Sequence, residues 1–263
     1  MRQSVTPDQM AAFFRDLAAR AAAETLPHFR QQLNVDNKEA DGFDPVTEAD
    51  RQAETVIRSA IESAFPEDGI VGEEHGSVRL DAPVRWVIDP VDGTRSFICG
   101  LPVWGTLVGR TEDGVATAGM LSQPYIGELF IADGQKSFIE GPHGRRDLRV
   151  SNCRSVSEAK VFTTAPELWS GIEQEGFERL RHLSRLCRFG ADCYAFGLVA
   201  TGTVDIAIEA GLKSYDIMAL IPIVRQAGGV IGRVDGGPAE EAGTVIAAAT
   251  RELFDEAQSL LTV

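Results

Sequence analysis

The 263-residue chain is short of basic side chains: 25 Lys and Arg stand against 39 Asp and Glu, a formal net charge of −14. That balance excludes a broad cationic face for nucleic-acid backbones, so no nucleic-acid partner is expected. Long apolar runs are also missing. No segment reaches the roughly twenty apolar residues of a membrane helix, and no membrane partner is expected. The opening residues, Met1-Arg2-Gln3-Ser4-Val5-Thr6-Pro7-Asp8, hold one basic residue but no apolar core or small-residue cleavage site, so a cytoplasmic location is expected. Four cysteines occur, Cys99, Cys153, Cys187 and Cys193, without a CxxC pair. A chain of this length does not need disulfides to fold, and free buried thiols are expected. The four histidines, His28, His75, His143 and His182, show no HxxxH or HExxH spacing, which gives zinc no recognisable ligand set. Any metal is expected to be a hard cation held by oxygen.

What is present is the composition of an ordinary globular chain, 44% apolar and 24% charged, long enough to bury a sizeable core as one large domain or two closely joined halves. A first helix is announced by Thr6-Pro7-Asp8-Gln9, a capping hydroxyl with proline in the first turn and glutamine three residues on. Met10, Phe13, Phe14, Leu17, Ala18 and Ala21 follow at helical spacing, and Pro27 ends or kinks the run. After a polar stretch from Asn34 to Asp44, a second helix opens at Thr47-Glu48-Ala49-Asp50, carries Ala53, Val56, Ile57, Ala60, Ile61 and Ala64 on one face, and ends at Pro66.

The period then changes. Apolar runs over Val84 to Ile88, Trp104 to Gly109, Ala116 to Leu121 and Glu128 to Ala132 predict a sheet. Asp133-Gly134 predicts a tight turn into Lys136 to Ile139, making part of that sheet antiparallel. From Lys160 onward strands (Val161 to Thr164, Val204 to Glu209, Gly229 to Val234, Thr244 to Ala248) alternate with helices (near Ser170 to His182, Asp192 to Thr201, Asp216 to Gln226, and a closing helix). A soft boundary falls near residue 150.

Carboxylates carry the chemistry. The strand Val84 to Ile88 delivers Asp89, and Pro90 is expected to stop the ladder there, leaving Asp89 at a sheet edge facing a crevice. Asp92 follows three residues later, with Gly93-Thr94 behind it, so two carboxylates and the Val91 carbonyl can aim at one or two cations. If Gly93-Thr94-Arg95-Ser96-Phe97 opens a short helix, its free N–H groups face phosphate oxygens. Gly72-Glu73-Glu74 supplies another acidic pair after Ile70-Val71, and Asp216 a further carboxylate at a helix start. Read singly, each acid has a structural role open to it: Asp89 and Asp92 form turns, while Asp50 and Asp216 cap helices. Covalent phosphate-transfer motifs are absent: there is no Cys-x5-Arg, Asp-x-Asp-x-Thr or Arg-His-Gly. A metal-activated water is the attacker that remains.

Taken together and in order, Thr47-Glu48-Ala49-Asp50, Gly72-Glu73-Glu74, Asp89-Pro90-Val91-Asp92-Gly93-Thr94, Gly190-Ala191-Asp192 and Glu209 to Asp216, followed by Ala227-Gly228-Gly229, resemble the inositol monophosphatase superfamily from about residue 8 to the C-terminus. Within it, the segments Gly93 to Thr106 and Asp192-Cys193-Tyr194-Ala195-Phe196 most resemble the histidinol-phosphate phosphatase branch. The resemblance implies a mixed α/β fold, a layered αβαβα sandwich of the inositol monophosphatase/fructose bisphosphatase type. Residues 1–150 would form an α+β half with most metal ligands, and residues 151–263 an α/β half with the specificity residues and Asp216, in one compact catalytic unit.

It further implies two to three Mg2+ ions, replaceable by Mn2+. Glu73, Asp89 and the Val91 carbonyl would hold the first; Asp89, Asp92 and Asp216 the second; a weaker third would rest near Glu73. Asp50, Thr94 and Glu73 would form the catalytic set, with Asp50 and Thr94 orienting the attacking water. The Gly93 and Thr94 amides would bind phosphate in an in-line displacement without a covalent intermediate. The partner would be a small-molecule phosphate ester, and homodimers are common in the family. Inositol-specific relatives carry a small residue where this chain has Asp192. With Glu209 nearby, that change suits a cationic alcohol, since a carboxylate beside an ammonium or imidazolium gains a charge-assisted hydrogen bond; helix capping is the alternative role for Asp192. Cys99 also departs from the branch's pattern, without an assigned function. The expected reaction is hydrolysis of L-histidinol phosphate. The alternatives are an inositol or broader sugar and polyol phosphatase, and, from another class, a regulatory binding module that keeps the fold.

Overall fold

The computed structural model describes residues 5–32, 35–37 and 45–262. Met1 to Ser4, and most of the polar stretch from Asn34 to Asp44, lie outside the described residues. Helix α1 (Pro7–Thr25) starts on the reciprocal cap read from the sequence: the Gln9 amide donates to the Thr6 hydroxyl, and the Thr6 amide to the Gln9 side chain. After the two-residue strands β1 (Asp36–Asn37) and β2 (Pro45–Val46), helix α2 (Glu48–Ala64) buries Ala53, Ile57 and Ile61 completely. Its buried face is more polar than the apolar stripe foretold, because Asp50 and Glu54 also lie on it while Ala64 is exposed.

Strands β3 (Gly69–Gly72), β4 (Ser77–Val78), β5 (Val84–Asp92), β6 (Gly105–Glu112), β7 (Val115–Gln123), β8 (Glu128–Ala132), β9 (Ser137–Gly141) and β10 (Gly144–Asp147) form one sheet in the order β10-β9-β8-β7-β6-β5-β3-β4, interrupted in sequence by the short helix α3 (Thr94–Cys99). Among the described residues of this sheet, only β3 and β5 pair in parallel. A second sheet has the order β12-β11-β13-β15-β14, from β11 (Lys160–Thr163), β12 (Leu186–Phe189), β13 (Ile206–Leu212), β14 (Val230–Arg233) and β15 (Gly243–Ala248). The remaining helices are α4 (Gly171–Leu183), α5 (Tyr194–Ala200), α6 (Ser214–Ile217), α7 (Leu220–Gln226) and α8 (Arg251–Leu261).

The period-two geometry of a strand explains why both sheets read as continuous apolar runs. Along β5 to β9, Trp86, Ile88, Val108, Met120, Ile131 and Phe138 pack against α1 and α2. Their neighbours Val87, Leu107, Leu121, Phe130 and Ile139 face α5, α6 and α7. The second sheet repeats this: Ala207, Val245 and Ala247 turn toward the same middle helices, while Ile206, Ile208, Ile246 and Ala248 turn toward α4 and α8. The order is helix, sheet, helix, sheet, helix, the expected αβαβα sandwich. The middle layer lies very close to the first sheet, where a Cβ on Gly119 would come within 2.3 Å of the Ala219 carbonyl.

Two local expectations are corrected. The single helix expected from Asp216 to Gln226 is two helices, α6 and α7. Pro222 explains the break: without an N–H, and with a ring that would meet the carbonyl four residues back, it is accommodated in the first turn of a new helix. The four thiols are free, but only Cys193 is buried; Cys99 is exposed and Cys153 and Cys187 are partly so.

Candidate active site

Strand β5 does not stop at Pro90. It runs on to Asp92, between β3 and β6, so Asp89 sits on an interior strand rather than at a sheet edge. The register shows how: Asp89 pairs with Leu107 and Asp92 with Gly105, three steps on one strand against two on the other. That extra residue is a β-bulge. Residues three apart on a regular strand point to opposite faces; the inserted residue restores the parity and turns Asp89 and Asp92 to one side. Proline is tolerated because the bulge asks no ladder hydrogen bond of its nitrogen, and its carbonyl accepts from the Thr106 hydroxyl at 2.8 Å.

Helix α6 brings Asp216 to the bulge from 124 residues away in sequence, and oxygens of Asp89, Asp92 and Asp216 lie within 4.8 Å of one another. Asp216 also accepts the Lys213 amide at 2.6 Å, so it caps its helix and joins the cluster at once. Glu73 follows β3, anchored by its amide on the Ile88 carbonyl at 3.2 Å, and its side chain hydrogen-bonds Asp89. Burial, then the charges of Glu73, Asp92 and Asp216, push the Asp89 carboxyl well above the usual carboxylate range. Burial and the charges of Asp192 and Asp216 do the same to Asp92, opposed by the Cys193 amide, which donates to it at 2.8 Å. A converging, all-oxygen, mutually repelling donor set fits a hard cation. Among the described residues no thiol or imidazole belongs to this group.

Asp50 and Thr94 meet beside it. The Thr94 hydroxyl lies 3.0 Å from the Val91 carbonyl and 3.5 Å from Asp50. Asp50, 1% exposed, accepts both the amide and the hydroxyl of Thr47. Burial raises its pKa to about 6 against the lowering effect of those two bonds. The capping role read from the sequence and the position beside Thr94 therefore coexist.

Gly93 starts α3 in a left-handed conformation, φ 80°, and a Cβ there would stand 3.0 Å from the Asp192 carboxyl carbon. Asp192 does not cap α5, whose N-cap is Cys193; its carboxylate accepts from the Ser96 hydroxyl on α3 at 2.6 Å instead. Burial raises the Asp192 pKa, countered by Ser96 and the Arg95 charge. Glu209, 4% exposed, accepts the Thr164 amide at 2.5 Å, and burial lifts its pKa to about 8. Asp192, Glu209, Asp92 and Asp216 line one cavity of about 230 Å³. Every candidate named from the sequence thus falls in one neighbourhood. The supporting donors Ser96 and Thr164 were not foreseen; Ser96 offered a faint sign, standing one turn from Gly93 on the segment expected to face phosphate.

The sequence profile of the inositol monophosphatase family matches residues 6–261. The chain belongs to the inositol monophosphatase family. It is 38% identical over 227 residues to a histidinol-phosphatase of Chlorobaculum parvum, covering 86% of this chain and 85% of that one. It is 37% identical to the bifunctional phosphatase IMPL2, chloroplastic, of Arabidopsis thaliana, over 85% of this chain; the chain spans 64% of that longer relative's length. The structure of an inositol monophosphatase from Zymomonas mobilis superposes with a TM-score of 0.86 at 35% identity, covering 99% of this chain and 100% of that one. The member described here is accordingly a phosphatase, a phosphoric monoester hydrolase of a metal-dependent family, and the carboxylate cluster is the part of it that fits a metal. Among the described residues no helix is long and apolar enough to cross a membrane.

Proposed function

We propose that this phosphatase is a magnesium-dependent histidinol-phosphatase that converts L-histidinol phosphate and water to L-histidinol and phosphate. The observation that carries the reading is the shared cavity: Asp192 and Glu209 line the same hollow as Asp92 and Asp216. A substrate whose phosphate lies at the acid cluster thereby places its alcohol portion near two further carboxylates. An ammonium or imidazolium group gains charge-assisted hydrogen bonds there that a neutral polyol does not. The relative from Chlorobaculum parvum bears the same activity in its name.

In this reading Glu73, Asp89 and the Val91 carbonyl would hold one ion, Asp89, Asp92 and Asp216 would hold a second, and a third would rest near Glu73. Mn2+ is an expected substitute. Magnesium, when bound, supplies Lewis acidity that makes a water more acidic and offsets charge on the phosphate oxygens. The rest falls to the chain. The Gly93 and Thr94 amides hold the phosphate; Asp50 and the Thr94 hydroxyl together orient the attacking water, and Asp50 accepts its proton. The water oxygen forms the new bond to phosphorus as the ester oxygen leaves opposite it with the bonding pair and takes a proton from a second water; the hydroxide left behind recovers the proton held by Asp50, and no enzyme-bound phosphoryl group forms. A homodimer in the cytoplasm belongs to the same proposal; sedimentation reads the assembly.

A structure with L-histidinol and phosphate bound tests this reading. The amine or imidazole is expected within hydrogen-bond distance of Asp192 or Glu209, and its placement away from both would contradict the substrate assignment. The second reading, an inositol or mixed polyol phosphatase, draws support from the Zymomonas mobilis likeness.

A further inference from the structure

We propose that Glu54, backed by Arg58, is a positioning residue that sets the orientation of Glu73. The proposal rests on the reading of Glu73 as a metal ligand. Glu54 lies on the buried face of α2 between Asp50 and Ile57, and it is 0% exposed. Burying a carboxylate in an apolar face is strongly unfavourable unless it is fully partnered, so its partners identify its role.

All of those partners are donors, and most belong to the loop that carries Glu73. One carboxylate oxygen accepts the Glu74 amide at 2.6 Å. The other accepts the His75 amide at 3.2 Å and Arg58 Nη1 at 2.9 Å. The Glu74 N–H belongs to the peptide joining Glu73 to Glu74, so this bond fixes the plane on the C-terminal side of Glu73. On the N-terminal side, the Glu73 amide is held by the Ile88 carbonyl at 3.2 Å. Arg58 Nη1 also reaches the Gly76 carbonyl at 2.9 Å, closing the clamp at the far end of the turn. The His75 ring adds contacts to Thr55 and the Arg51 carbonyl on the same helix.

Gly72 completes the arrangement. A Cβ there would sit 1.8 Å from a Glu54 carboxylate oxygen, so the carboxylate occupies the space a side chain would need. The loop is wrapped around Glu54, which presents acceptors to three N–H donors at once. Glutamine has the same shape but turns one acceptor into a donor, leaving an N–H of the loop or of Arg58 facing another N–H.

The test is Mn2+ binding to the purified full chain, followed by electron paramagnetic resonance, alongside kcat at saturating Mg2+ and the melting temperature without metal. Glu54→Gln is expected to weaken Mn2+ binding about tenfold, the usual effect of losing a group that orients a ligand. Its kcat at saturating metal should stay within roughly threefold of the wild type, because the interaction acts on metal occupancy rather than on the transition state. Glu54→Asp, which keeps the charge, should recover part of the affinity. Arg58→Gln gives a second variant should Glu54→Gln fail to fold, and it is expected to weaken binding in the same direction. Glu73→Gln is the control. If it weakens binding while Glu54→Gln or Arg58→Gln binds as the wild type does, the positioning role is overturned and the ligand assignment stands. If Glu73→Gln itself binds normally, the ligand assignment fails.

Discussion

The carboxylate of Asp192 accepts a hydrogen bond at 2.6 Å from the hydroxyl of Ser96, a residue 96 positions earlier. The bond ties the cavity wall to α3, the helix that begins at Gly93 and Thr94. Next to it, the Cys193 amide holds the metal-cluster residue Asp92. In the proposed reading, recognition of the alcohol and placement of the phosphate would therefore be built on adjoining backbone.

Asp192→Asn keeps the shape and removes the charge. Its expected effect is a loss of roughly 10- to 100-fold in kcat/KM for L-histidinol phosphate, the range of a hydrogen bond to a charged partner. A neutral phosphate ester should lose only a few-fold. Steady-state kinetics on both substrates check this, and equal losses would assign Asp192 a purely structural role.

The acid cluster sets function against stability. In the absence of metal, Asp89 is destabilised by burial and by its like-charged neighbours, so Asp89→Asn is expected to raise the melting temperature of the metal-free protein. Phosphatase activity should fall by roughly a thousandfold, the scale of several kcal/mol of lost metal-assisted stabilisation. Calorimetry in EDTA and a phosphate-release assay read the two effects. A lower melting temperature would show that Asp89 makes a stabilising contact that outweighs the repulsion.

Much of the fold was legible in the sequence where signals were local. Thr6-Pro7-Asp8-Gln9 encodes a helix start by its own hydrogen bonds, and strands such as Glu128–Ala132 fall where the apolar run places them. Misreadings arise where proline has two meanings. Pro90 reads as the end of a strand but occupies a bulge, and Pro222 lies within an apolar helical run yet marks a restart. Strand β12, with Leu186, Arg188 and Phe189 exposed at a sheet edge, has no buried face to print a pattern. Apart from the spacing of Ser96 from Gly93, the partners of Asp192 and Glu209 have no local signal, because Ser96 and the Thr164 amide are brought to them by tertiary packing.

Glu209 makes stability depend on pH. Its carboxyl moves from an ordinary value of 4.5 to about 8 in the folded protein, mainly through burial. Between those limits the folded state keeps a proton that the unfolded chain has released. Stability is thus greatest below the lower limit and falls as pH rises through the window, by up to about 1.4 kcal/mol per unit. Glu209→Gln, which retains an acceptor for the Thr164 amide, should flatten the slope by one proton. Urea unfolding of metal-free protein from pH 5 to 8 measures it; an unchanged slope would remove Glu209 as its source.

In the proposed mechanism Asp50 must be ionised to accept a proton; burial raises its pKa to about 6 in the metal-free protein, and bound cations draw it lower, so the acid limb of kcat is expected below that pH. The Thr47 bonds favour the charged form, so Thr47→Val, which deletes the hydroxyl donor, should move that limb upward by about 0.7 unit, the equivalent of one net hydrogen bond. The pH profile of kcat at saturating metal is the readout. A limb that stays in place would detach it from Asp50.

The most direct measurement of the central claim is the ratio of kcat/KM for L-histidinol phosphate to that for inositol 1-phosphate, with purified protein and saturating Mg2+. Asp192 and Glu209 facing a cationic alcohol, whose charge draws Glu209 toward its ionised form, predict a preference of at least about tenfold for L-histidinol phosphate. Equal or greater efficiency on inositol 1-phosphate would contradict the assignment.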